Sequence, residues 1–164
     1  MSTIPITSAF VQGALSIELG DGYVRPWRTD YQQKELYPSI NDDLLKQMSK
    51  PVGVRVRFAS SSTSVTLSVL PAEVARTFDL VIGNERIDTL SMAVGETTLT
   101  VGDLPGDDTP VEVWLPYEGP VSLATFDGKD VRPVSDTRPK SLTYGSSITQ
   151  SLSLIHISEP TRPT

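Results

Sequence analysis

The block Thr143-Tyr144-Gly145-Ser146-Ser147-Ile148-Thr149-Gln150 is where residue types and spacing suit covalent chemistry. A serine becomes a useful nucleophile when a strand delivers it to a tight turn at a helix start. There its hydroxyl is exposed and backbone N–H groups can stabilise an oxyanion. Leu142-Thr143-Tyr144 has the character of such a strand, Gly145 permits the tight backbone, and the amide of Ser147 is placed to serve an oxyanion hole. The chemistry implied is acyl transfer through an acyl-serine. Taken alone the pattern is a weak signal, because Gly-Ser-Ser also occurs in ordinary loops.

A nucleophilic serine also needs a general base. The chain holds one histidine, His156. It falls within Leu152-Ser153-Leu154-Ile155-His156-Ile157-Ser158-Glu159-Pro160-Thr161-Arg162, which resembles translated transposon-type sequencing adapter. The natural sequence is therefore expected to be cut near Gln150 or Ser151, with residues 152–164 an artefact, and the base for Ser147 is expected to be missing.

Other chemistry-bearing groups read as structural. Asp42-Asp43 stands at a helix start and Asp107-Asp108 in a Gly-Pro turn, so cap and solvated loop are the plainer roles. Nothing points to a metal or a cofactor. Trp27, Trp114, Tyr23, Tyr31, Tyr37 and Tyr117 would make a sugar-stacking platform if gathered, but packing is the blander reading. Trp114 stands apart. It shares strand parity with Glu112, whereas Val111, Val113 and Leu115 point the other way. It is expected on the face away from the core, substantially exposed, where a second domain or a ligand would cover it.

These residues need a scaffold. With 14 Lys and Arg against 20 Asp and Glu the net charge is -6, and no basic run breaks the acidity. That argues against nucleic acid and anionic membrane as partners. The absence of cysteine excludes a disulfide framework and a thiolate zinc site, and fits a cytoplasmic protein. No leader or membrane-spanning run is read. Nine short runs alternate or are β-branched, at 14–19, 23–28, 53–59, 64–70, 77–82, 86–92, 97–101, 110–115 and 120–126. Strands at that spacing predict an all-β sandwich or jelly roll. Val54, Val56 and Phe58 alternate with Arg55 and Arg57, and Val65, Leu67 and Val69 with Thr66 and Ser68, so one face is core and the other wet. One helix is expected over 41–48, with Asn41 as N-cap and Pro51 soon after its end. Turns are expected at Gly20-Asp21-Gly22, Gly83-Asn84, Pro105-Gly106-Asp107-Asp108 and Asp127-Gly128, and a polar loop at 60–64. Residues 129–140, charged and carrying Pro133 and Pro139, read as an interdomain linker. The expected division is thus a sandwich over 1–128, a linker over 129–140, the first strand of a missing α/β domain over 141–151, and the tail.

Over residues 4–151 the chain resembles SGNH hydrolases of the GDSL esterase group, in the subgroup where a jelly-roll domain precedes the hydrolase domain. The resemblance rests on Pro5-Ile6-Thr7 with Val11-Gln12-Gly13-Ala14, the Trp27 segment, Gly53-Val54-Arg55, Val111-Glu112-Val113-Trp114-Leu115-Pro116 and the Gly-Ser-Ser-Ile-Thr block. It implies that Ser147 is the nucleophile, with Gly145 and Ser146 supporting its turn. It also implies two further oxyanion donors and an Asp-x-x-His base in later blocks, which this chain does not contain. The intact enzyme is expected to act on small acyl esters or acylated carbohydrates without a cofactor, and the fragment to be inactive. The rival readings are a stand-alone carbohydrate-binding module and a purely structural sandwich.

Overall fold

The computed structural model describes residues 2–36 and 43–140. Twelve strands form two antiparallel sheets of six. They are β1 (Ser2–Pro5), β2 (Val11–Gln12), β3 (Ser16–Gly20), β4 (Tyr23–Trp27), β5 (Arg55–Ala59) and β6 (Val65–Val69). After them come β7 (Arg76–Ile82), β8 (Glu85–Met92), β9 (Thr98–Val101), β10 (Val111–Trp114), β11 (Leu123–Gly128) and β12 (Arg132–Pro133). The first sheet runs β3-β4-β11-β6-β9, with β1 also on β11; the second runs β12-β5-β10-β7-β8, with β2 also on β5.

The sandwich forms because alternate residues of both sheets are apolar and meet in one core. Val54, Val56, Phe58, Val111 and Val113 enter it from the second sheet, and Val65, Leu67, Val69 and Phe126 from the first. Phe126 is the central contact, with its ring 4.8 Å from that of Phe58 and 5.3 Å from that of Phe10. This is the expected fold class, and each of the nine runs carries a strand. The helix α1 covers Asp43–Met48; its expected cap, Asn41, lies outside the described residues.

Asp21-Gly22 turns β3 into β4, and Gly83 and Asn84, at φ of 57° and 80°, turn β7 into β8. The expected turn at Asp127-Gly128 is corrected. Both residues belong to β11, and the chain bends one residue later. Gly128 is small for packing, since a Cβ there would stand 2.8 Å from Val131 Cγ2 and 3.0 Å from Val65 Cγ2. In the polar loop, Ser60 Oγ donates to the Lys129 carbonyl at 2.8 Å and accepts from Ser62 N at 3.0 Å, so this serine is structural.

Residues 129–140 do not leave the sandwich at once. Arg132 and Pro133 pair with Ala59 and Phe58 of β5, Val134 N donates to the Arg57 carbonyl at 3.4 Å, and the next turn of chain crosses the outer face of the second sheet.

Candidate functional site

Gly145, Ser146 and Ser147 lie outside the described residues, as does Tyr37. The part of the molecule that bears on them is the surface over which the chain reaches Lys140. Two cross-strand rows build that surface. Glu112 of β10 faces Arg57 of β5 on one side and Val81 of β7 on the other; Trp114 likewise faces Arg55 and Asp79. The alternation puts Val111 and Val113 inward, so Glu112 and Trp114 must point outward.

An outward carboxylate would ordinarily be hydrated, yet Glu112 is only 3% exposed. Burial of that kind needs paired charge and hydrogen bonds. Arg57 and Arg138 both donate to Glu112 Oε1, and Arg55 Nε stands 3.4 Å from Oε2, in ion-pair range without hydrogen-bond alignment. Asp136 completes the cluster from the crossing segment. Its carboxylate accepts from Arg55, from Arg138 Nη2 at 2.7 Å and Nε at 2.8 Å, and from the Arg138 backbone N–H at 3.1 Å. The Arg138 side-chain bonds hold the Asp136 carboxyl well below the usual carboxylate range, against the opposing effect of desolvation. The same bonds raise Arg138 above its ordinary value. Three guanidinium groups thus share two carboxylates. Arg138 also reaches the β7–β8 turn, donating to Asn84 Oδ1 at 2.8 Å. Residues 134–138 form a strap fixed at both edges of this face.

Trp114 lies on the outward face as the parity implies, but it is half-buried and not substantially exposed. The reason is Arg55, whose guanidinium carbon sits 4.6 Å from the ring centroid, a cation–π contact. The indole Nε1–H is itself buried and has no acceptor among the described residues; the same holds for Glu118 Oε2 as an acceptor, although its other oxygen accepts from Thr77 Oγ1 at 2.5 Å.

The other candidates fall out as structure. Trp27 belongs to the opposite sheet, is 5% exposed, stacks on Tyr31 and donates from Nε1 to Glu18 at 2.8 Å, so the two tryptophans share no platform. Tyr23 lies against Arg25 on the same sheet. Asp107 accepts from Thr109 N at 2.8 Å and Asp108 pairs with Arg132. Asp42 lies outside the described residues. No group of three potential metal ligands is gathered among the described residues, and no helix there is long and apolar enough to cross a membrane. Sequence reasoning missed the ion cluster. The arginine pair in β5 and the outward parity of Glu112 were its visible traces.

Comparison with solved structures places the fold beside larger enzymes. The salicylyl-acyltransferase SsfX3 from a tetracycline biosynthetic pathway superposes with a TM-score of 0.73 at 23% identity, over 85% of this chain and 43% of that one. A GDSL-like lipase from Bacteroides ovatus superposes with a TM-score of 0.55 at 13% identity, over 80% of this chain and 42% of that one. The chain therefore spans less than half the length of either. No curated protein matches. Residues 9–123, from the first 3-10 turn to the start of β11, match the family described as the SsfX3 N-terminal domain, and the chain belongs to that family.

Proposed function

We propose that this chain is the N-terminal β-sandwich of a two-domain SGNH-type serine enzyme, cut just past its nucleophile block, and that residues 152–164 are adapter-encoded. The observation that carries the reading is the family match over residues 9–123, followed shortly by Gly145-Ser146-Ser147-Ile148-Thr149. In the intact parent Ser147 Oγ attacks the acyl carbonyl, its proton passes to a base supplied by the missing domain, and the alcohol leaves. Water or a second alcohol then takes the acyl group from Ser147. The backbone amide of Ser147 supplies one oxyanion donor, and Gly145 and Ser146 shape the turn. Small acyl esters or acylated carbohydrates are the proposed substrates. The sandwich is an accessory domain that positions the hydrolase domain and has no turnover of its own.

The test uses the source gene read past codon 151. The full-length parent should hydrolyse an activated short-chain aryl ester, and Ser147→Ala should lower kcat by at least about a thousandfold. The 164-residue chain should show no turnover above its own Ser147→Ala variant. Serine-dependent turnover by the short chain would overturn the reading.

A further inference from the structure

We propose that the outer face of the second sheet, from Trp114 to Tyr117 and Glu118, is the surface on which the domain following residue 140 docks. The proposal rests on the reading that a hydrolase domain follows. Three independent observations converge on this face.

The first is where the chain arrives. Residues 132–136 follow β5 from Ala59 to Arg55, the residue that faces Trp114, and the Arg138 guanidinium then reaches Glu112 and Asn84. Lys140 is two residues further, within about 7 Å along the chain. A domain beginning there starts close to this face.

The second is unfilled bonding capacity. Trp114 is the next outward residue after Glu112 on β10. One side of its ring is closed by Arg55, while its buried N–H has no acceptor among the described residues. On β7, Asp79 faces Trp114, and two residues before it Thr77 holds Glu118, whose second oxygen also has no donor there. Two buried polar atoms without partners among the described residues, on one stretch of surface, each carry a desolvation cost there. A docked domain offering a carbonyl to the indole and an N–H or O–H to Glu118 removes both.

The third is an apolar rim on ordered loops. Tyr117 is 51% exposed and Val74 is 42% exposed. Their loops are braced: Arg76, 1% exposed, donates to the carbonyls of Leu70 at 3.3 Å and Glu96 at 3.1 Å, and Leu70 N donates to the Ser122 carbonyl at 2.9 Å. An aromatic anchor, polar atoms with no partner among the described residues and a fixed apolar rim are what an interface core consists of.

Hydroxyl-radical footprinting read by peptide mass spectrometry compares the 164-residue chain with the full-length parent. Oxidation of the exposed Tyr117 should fall in the parent by about threefold or more, and that of the half-buried Trp114 should fall by a smaller factor. Tyr23, on the other sheet, should be unchanged. Equal oxidation of Trp114 and Tyr117 in the two proteins would overturn the proposal, as would protection that appears in the short chain when its concentration is raised, which would make the face a contact between copies. In the parent, Trp114→Ala should restore oxidation of Tyr117 and Trp114→Phe should not. The functional reading fails separately. If Ser147→Ala leaves turnover unchanged while Trp114 is protected, docking stands without it; if turnover depends on Ser147 and Trp114 is unprotected, docking alone is lost.

Discussion

Two stretches of the sandwich's outer surface are built on the same alternation and have opposite fates. On the β6, β9 and β11 part of the first sheet, Thr66, Ser68, Thr98, Thr100, Thr125 and Asp127 point away from the core, small and mostly uncharged, and none is buried. The β3–β4 part instead carries Glu18, Arg25 and Trp27, and there Tyr31 covers the indole. On the second sheet, the equivalent positions hold Arg55, Arg57, Glu112, Trp114, Asp79 and Val81, and both Glu112 and Val81 are buried. Val81 is not part of the central core; it is covered on the outside. The hydroxyl-rich stretch needs nothing laid across it. A face of paired charge and indole does, and the strap of residues 134–138 supplies part of that cover.

The comparison breaks most directly at Glu112. Replacing it by Ala leaves three arginines with only Asp136 to balance them, and breaking a buried pair from one side should cost about 3–5 kcal/mol. Thr100→Ala on the other sheet should stay within about 0.5 kcal/mol. Urea unfolding of the 164-residue chain reads both. Equal effects would mean that the second face is as solvated as the first.

Asp136→Asn should cost less, about 1.5–3 kcal/mol, the range for a hydrogen bond to a charged group. Its pH dependence gives the sharper reading. The folded-state carboxyl lies below its unfolded value, so its contribution is fully present above the unfolded pKa and is lost as pH falls through the folded one. The stability difference between wild type and Asp136→Asn should therefore be flat from about pH 6 to 8 and shrink below about pH 4. A difference that grew on acidification would put the strap's anchor elsewhere.

What could be read from the sequence follows the range of the interactions. Nine strands were legible because period-2 alternation is local. β1, β2 and β12 were not: two residues carry little pattern in β2 and β12, and Pro5 and Pro133 speak against a strand until they are seen at edges. Asp127-Gly128 misled because a glycine needed for close packing looks the same as one needed for a turn. At the candidate site, the outward placement of Trp114 was legible from Val111, Val113 and Leu115. Its cover was not, since Arg55 comes from another strand. Nor was the role of residues 129–140, because Asp136 meets Arg55 across 81 positions of sequence. A charged, proline-bearing run has the composition of a free linker whether or not its charges find partners.

The smallest expected effect is at the strap's solvent-exposed end. Arg138 makes more bonds than any other member of the cluster, yet its side chain is 41% exposed, against 11% for Arg57 and 15% for Arg55. Solvent screens an exposed pair, and holding a long side chain in one geometry costs entropy, so Arg138→Lys should lose no more than about 1 kcal/mol. Lysine keeps the charge but cannot offer the planar fork that now spans Glu112, Asp136 and Asn84. The loss should halve or better between about 0.05 and 0.5 M salt, because screening shortens the reach of exposed charges. Amide exchange should locate it, quickening at residues 134–138 and not in β6 or β9. A salt-independent loss of about 3 kcal/mol, the scale of a buried pair, would place Arg138 in the closed part of the cluster. The strap would then be fixed along its whole length, and the boundary between covered and open surface would move from Arg138 toward Trp114.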